Sequence, residues 1–326
     1  MKIHAYLLII LCVILQIPGY SQSNLPSRTT VKLNKEIFNI LKNNSMFSDK
    51  LDWRNIQEES KILSLTTNDS TNKQVLYNFY TGKLRAAGDK HSFFISGKRM
   101  KQIAEAPVAE QPQGDYLGAG VAWVKVPRCL SFNEAKDAHF ADTIRRIIQK
   151  LDTENAVEGW IVDLRHNTGG NMWPMLAGLN ALVADGTAGY FVSSESMENK
   201  RPWPNENGKI SGKPADISTY KIKNNSAKIA VLLDARTGSS GEMAAVSLLG
   251  LPNVKSFGQT SAGYTTANYT FNLSNGDQLQ LARTYVADRT GKGYPENIKP
   301  DVFIDDLSNT KNDRVIAAAK TWLLEK

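Results

Sequence analysis

The residues with chemical potential in this chain fall in a few small stretches. Ser239 and Ser240 stand in Thr237-Gly-Ser-Ser-Gly-Glu242, directly after the apolar run Lys228 to Leu233 and directly before Met243-Ala-Ala-Val246. A β-branched apolar run bounded by polar residues predicts a buried strand, and the small residues after it open a helical pattern, so the serines fall on a strand-to-helix corner. Such a corner exposes a hydroxyl. Gly238 and Gly241 tolerate the sharp turn, and the following helix offers N–H groups to negative charge developing beside it. This layout suits acyl chemistry with Ser239 as nucleophile. The competing reading is plain helix capping, for which serine is a preferred residue.

A serine hydroxyl attacks only when a base takes its proton, and histidine is the commonest such base. Beyond the N-terminal segment 1–21 the chain has His91, His139 and His166. His91 sits between a helical stretch and the apolar Phe93-Phe94, at Gly88-Asp-Lys-His91. His139 lies beside the apolar face of an amphipathic stretch, a structural position. His166 ends the predicted strand Gly159 to Arg165 and precedes Gly169-Gly170. That glycine pair lets the backbone approach a ligand and offers N–H groups to an anion, or simply makes a tight helix-sheet corner. The Lys-Ser/Thr of a phosphate loop and the spacing of a dinucleotide fingerprint are both missing. Cys129 has no activating signature around it.

The elements that must position these groups alternate as in an α/β protein. Gly118 to Val126 reads as a strand and Asn133 to Asp152 as an amphipathic helix. Then come the strand ending at Arg165, the glycine turn, a helix to about Val183, the strand Lys228 to Asp234, the serine corner and its helix. Tyr269, Phe271 and Leu273 alternate into the Asn275-Gly276 turn, and Leu279 and Leu281 alternate back, which predicts a hairpin. The N-terminal region has helical periodicity up to Ala87, whereas residues 98–115 are polar and Pro-containing and read as a linker. Residues from Met197 to Lys223 read as a surface excursion rich in Pro, Gly, Asn and Lys. A closing helix carries Val315, Ile316, Ala319 and Leu323. The predicted organisation is a signal peptide at 1–21, a helical cap at 22–97 and a catalytic core at 98–326.

With 326 residues, 41% of them hydrophobic, the chain can bury a full core. Lys2, the apolar run from Ala5 to Ile17 and Pro18-Gly-Tyr-Ser21 read as the three regions of a secretory signal, so export is expected. Membrane attachment is expected only through that segment, if it is not cleaved. After cleavage one cysteine remains, too few for a disulfide framework. The formal charge of +7 is spread over 39 basic and 32 acidic residues without aromatic interleaving, so no nucleic-acid partner is expected. No His, Cys or carboxylate cluster has metal-ligand spacing, and neither metal nor organic cofactor is expected.

Together, Asp163-Leu-Arg-His-Asn-Thr-Gly-Gly170, Thr237-Gly-Ser-Ser-Gly-Glu242, Gly258-Gln-Thr-Ser-Ala-Gly263 and Asp89-Lys-His-Ser92 resemble the tail-specific, C-terminal processing serine peptidases of family S41. The resemblance runs from His91 to Asp301. It implies a ClpP/crotonase-like β-α core, Ser239 as nucleophile, and an oxyanion hole from the amides near Gly169, Gly170 and Ser240. Two departures are visible. Tyr264 stands where these peptidases usually carry a catalytic lysine, and the stretch between His91 and Gly118 is too short for a PDZ domain. The pattern is similar to a Ser-His branch of the family, in which His91 is the base and Glu242, Ser92 or Asp89 orients it. In that branch Asn171, Met172, Thr266 and Asn268 fall on a groove for a peptide or unfolded protein substrate. Two rival readings share the fold: an inactive peptide-binding module, and a crotonase-type acyl enzyme.

Overall fold

The computed structural model describes residues 25–193, 199–206, 209–210, 220–305 and 313–325. The predicted signal peptide lies outside them. Helix α1 (Arg28–Asn44) starts where Ser27 Oγ accepts the N–H of Thr30, and it buries Leu33, Ile37 and Leu41 along one face. Helices α2 (Trp53–Lys61) and α3 (Asp69–Ala86) are capped in the same way by Asp52 and Asn68. Strand β1 (Phe93–Ile95) follows a turn at Gly88, whose φ of 97° suits glycine.

Residues 98–115 are not a linker. They fall mostly in helix α4 (Gly97–Glu105), capped by Ser96, and strand β2 (Gln113–Tyr116). Their overall polarity hides a half-buried stripe at Met100, Ile103 and Ala104 with helical spacing. Lys136 Nζ fastens the end of α4 by donating to the carbonyls of Ala104 and Ala106.

The remaining elements are β3 (Val121–Lys125), α5 (Glu134–Glu154), β4 (Gly159–Asp163), α6 (Met172–Leu179), β5 (Gly186–Val192), β6 (Lys200–Glu206) and β7 (Lys209–Ile210). After them come β8 (Lys228–Leu233), α7 (Ser240–Leu248), β9 (Val254–Gly258), β10 (Thr266–Asn272), β11 (Gln278–Asp288), β12 (Val302–Phe303) and α8 (Arg314–Leu324). One sheet has the order β12-β9-β8-β4-β3-β2, with every pair parallel except β2–β3. Every residue of β4 is buried, as expected of a parallel strand covered on both faces. Trp160, Val162, Ile229 and Val231 face the core shared with α5, α6 and α7. The alternate residues Ile161, Ala230 and Leu232 pack against Val315, Ala319 and Leu323 of α8.

The second sheet has the order β1-β11-β5-β6-β7, with β10 paired only to β11 among the described strands. Part of the predicted surface excursion belongs here. In β6 the alternate residues Trp203 and Asn205 are fully buried, an inward face that the flanking prolines and charges conceal in the sequence. Leu33, Ile37 and Leu41 of α1, Ile56 of α2 and Leu76, Tyr80 and Leu84 of α3 form one cluster with Leu273, Leu279 and Leu281 of the predicted hairpin. Tyr77 Oη donates to Asp277 at the hairpin turn, and Lys73 pairs with the same carboxylate.

Candidate active site

Strands β4 and β8 are parallel neighbours, so the loops that leave their C-terminal ends emerge side by side. One carries the glycine pair and the other the serine corner. The serine corner is tied down before it turns: Thr237 Oγ1 donates to Leu164 O, and Gly238 N donates to Asn167 O at 2.9 Å. Ser239 then adopts φ 52° and ψ −121°, a strained conformation for a residue with a side chain. The close fit of the two loops requires glycine. A Cβ on Gly169 would lie 2.7 Å from Ser239 Cβ, and one on Gly170 would lie 1.9 Å from Cys129 O.

Asn167, fully buried, joins the two loops. Its Oδ1 accepts Gly169 N–H, and its Nδ2 donates to the carbonyls of Val126 and Pro127. The Gly169 N–H is thus donated to Asn167 and not left free for an anion. The N–H groups of Gly170 and Ser240 have no partner among the described residues, and both residues line the groove beside Ser239. Ser240 Oγ donates to Gly170 O at 2.6 Å, which locks the two amide-bearing loops together.

His91 reaches the serine from the other sheet. Its Nε2 lies 3.0 Å from Ser239 Oγ, and its Nδ1 lies 2.9 Å from Thr266 Oγ1. Its backbone is clamped by Asp89, whose Oδ1 accepts the N–H groups of His91 and Ser92. Asn268 Nδ2 donates to His91 O. Burial pushes the imidazole down to about 4, helped by the Arg85 charge and opposed by a hydrogen bond to the Thr266 backbone and by the Asp89 charge. The second ring nitrogen of His91 thus meets Thr266, which the resemblance implies only as a groove residue. Asp89 acts on the His91 backbone, and Ser92 Oγ is occupied with Asp89 and Ala282 N.

Glu242 has no hydrogen bond to His91. Its fully buried carboxylate accepts Ser239 N–H at 2.8 Å, Ser261 Oγ–H, Gly263 N–H and Tyr264 N–H. Burial raises this carboxyl above its ordinary range and the four donors oppose the rise. The residue fixes the serine corner to the loop at 261–264. His166 is occupied elsewhere: its Nδ1 lies 2.7 Å from Asp234 Oδ2. His139 is exposed on α5, and the buried Cys129 thiol is pushed well above its ordinary value by burial and the nearby Asp137.

The dyad opens into a groove of about 840 Å³. Asn171, Met172, Thr266 and Asn268 all line it. Asn171 uses both ends of its amide to frame the groove, Oδ1 accepting Trp173 N–H at the start of α6 and Nδ2 donating to Asp137. Tyr264, 39% exposed, lies with its ring centroid 5.4 Å from that of His91. Among the described residues no group of three or more His, Cys, Asp or Glu side chains is arranged to hold a metal ion.

A buried parallel sheet that delivers a glycine turn and a strained serine to one groove defines a protein of the S41 protease fold. The family model for peptidase family S41 matches residues 121–304, and the chain belongs to that family. It is similar to a nisin-resistance protein of Lactococcus lactis subsp. lactis, with 34% identity over 272 residues covering 81% of this chain and 80% of that protein. The structure of a lipoprotein from Streptococcus agalactiae superposes with a TM-score of 0.75 at 27% identity, covering 92% of this chain and 97% of the other. A photosystem II D1 C-terminal processing protease, 11% identical, shares the fold with a TM-score of 0.60 over 89% of this chain and 96% of its own.

Proposed function

We propose that the protein is an exported serine endopeptidase that cleaves peptides or protein tails with Ser239 as nucleophile and His91 as base. The observation that carries this reading is the 3.0 Å contact between His91 Nε2 and Ser239 Oγ. An inactive peptide-binding module has no need of a base at that distance. In the proposed step Nε2 takes the hydroxyl proton while Oγ bonds to the scissile carbonyl carbon and the carbonyl electron pair moves onto oxygen. The resulting oxyanion is received by the N–H groups of Gly170 and Ser240, the second at the start of α7 where the helix dipole favours negative charge. Collapse breaks the C–N bond as Nε2 returns the proton to the leaving amine, and a water molecule repeats the sequence on the acyl ester.

The substrate is read as an extended peptide. Strand β10 has one edge unpaired among the described residues and contributes Thr266 to Thr270 to the groove lining, so a peptide can add to it as a strand. Export rests on the N-terminal signal pattern and on kinship with a lipoprotein; among the described residues no helix is long and apolar enough to cross a membrane. The test is a panel of peptides with free and amidated C-termini, assayed with the wild type, Ser239→Ala and His91→Ala. Cleavage by the wild type and loss of turnover to a similar low level in both variants is expected, because members of one catalytic unit fail together. Full activity in either variant overturns the assignment.

A further inference from the structure

The charges around the groove are segregated. Arg85, Lys90, Arg128 and Arg201 line it, and among the described residues no aspartate or glutamate does. All four are exposed, and none forms an ion pair among the described residues. Arg85 Nη1 donates to a backbone carbonyl, Asp89 O, and Arg201 Nη2 to the Tyr269 hydroxyl, so their charges stay uncompensated. A smaller adjoining pocket on the other side of the serine corner shares Thr168 and Tyr264 with the groove; its one charged lining residue is Arg236, also exposed. The nearby carboxylates face the other way. Asp89 and Glu242 are 1% and 0% exposed, with their oxygens on protein donors, and Asp137 is bonded to Ser131 and Asn171.

Exposed aromatic surface accompanies the cations. Phe93, Phe132 and Tyr264 are 44%, 48% and 39% exposed, and all three line the groove. Arg201 lies over both Phe191 and Tyr269, with its guanidinium carbon 5.0 and 5.4 Å from the ring centroids, which holds its charge at the groove wall. A concave site with low-dielectric walls and charge of one sign raises the local concentration of oppositely charged ligands and repels like charge.

We infer that the site selects acidic peptides, in which aspartate or glutamate side chains flank an apolar or aromatic residue near the scissile bond. This rests on the peptidase reading and names its substrate class. Each acidic side chain that meets one of the cations is expected to raise kcat/KM about two- to fivefold, the range of exposed ion pairs, so two or three act together as a preference of about fourfold to a hundredfold. The preference is carried by screened charges and is expected to shrink as salt is raised from about 0.05 to 0.5 M.

The experiment uses one cleavable peptide in three forms, with Glu, Gln or Lys at the positions flanking the scissile bond. Wild-type kcat/KM is measured for each at low and high salt, and binding of the same peptides to Ser239→Ala is measured by fluorescence anisotropy. The expected order is Glu above Gln above Lys at low salt, compressed at high salt, and lost in a Lys90→Glu/Arg128→Glu variant, which brings the four groove charges to a net of zero. Both substitutions are at exposed positions, and circular dichroism checks that the variant is folded. Cleavage of all three forms at equal rates, or a preference that survives the charge reversal, overturns the inference and leaves the peptidase reading standing. Acid-selective binding to Ser239→Ala without cleavage by the wild type overturns the peptidase reading and leaves the selectivity. Neither binding nor cleavage of any form overturns both.

Discussion

Thr266 Oγ1 stands 2.9 Å from His91 Nδ1, at the ring nitrogen opposite the one that faces Ser239. A base acting through Nε2 must carry its remaining proton on Nδ1, and the Thr266 oxygen is the acceptor for that proton. Replacing Thr266 with Val removes the hydroxyl at nearly constant volume and leaves the Thr266 backbone, which also hydrogen-bonds the ring, in place. The expected cost is on the order of tenfold in kcat, equivalent to one hydrogen bond of about 1.4 kcal/mol, with little change in KM. Thr266→Ser is expected to restore most of the rate. Steady-state kinetics decide the matter: a Val variant with unimpaired kcat removes Thr266 from the catalytic unit.

Burial of His91 moves the pH profile. An unperturbed imidazole of about 6.5 would place the acid limb between roughly pH 6 and 7. With the folded value at about 4, the base is neutral over most of the acidic range, and kcat/KM is expected to fall only near pH 4. The sign for stability follows from the same shift. The folded value lies below the unfolded one, so between pH 6.5 and 4 the unfolded chain takes up a proton that the folded chain does not, and stability falls as pH falls through that window. A kcat/KM profile with its acid limb at pH 6.5 would contradict this account.

Asn268 separates positioning from binding. Its Nδ2 holds the carbonyl of His91, so Asn268→Ala is expected to loosen the base and lower kcat more than it raises KM. A pure contact with the peptide would change KM alone. The comparison needs only initial rates over a range of peptide concentrations, and an unchanged kcat would return Asn268 to the groove wall.

Glu242 is predicted to matter for folding before chemistry. Glu242→Ala would strand four donors around a cavity, and leaving buried donors unmet costs about 1 to 3 kcal/mol each, enough to threaten a domain of ordinary stability. Glu242→Gln keeps one acceptor oxygen and is expected to fold with a lower melting temperature. Thermal unfolding followed by circular dichroism checks both. A Glu242→Ala protein that melts like the wild type would show that the loop at 261–264 is held by other means.

The strands and helices that carry the site were legible because each has a local signal: the apolar run before Asp234, the glycine pair after Arg165, and the Asn275-Gly276 turn. What joins them was not. His91 lies 148 residues from Ser239 and 175 from Thr266, and no local pattern encodes contacts of that separation. Thr266 was visible as a groove residue, but its hold on the imidazole depends on where β10 falls beside β1 and β11. Gly169 and Gly170 look equivalent in sequence, and only the Asn167 side chain distinguishes them by consuming one amide. α4 and β6 were hidden for a simpler reason, since average polarity over a stretch conceals a narrow buried stripe within it.

Ser239 and His91 are carried by elements that pack into different hydrophobic clusters. Ser239 is held by the parallel-sheet core through β8 and α7, whereas His91 hangs between α3 and β1, beside the cluster built from the N-terminal helices and the β10–β11 hairpin. Such clusters can open as separate cooperative units with their own free energies. Partial opening of the helical cluster would withdraw the base while the nucleophile stayed in place, so enzymatic inactivation would precede bulk unfolding along a urea titration. Amide hydrogen exchange would then proceed faster in α1–α3 than in β4 and β8.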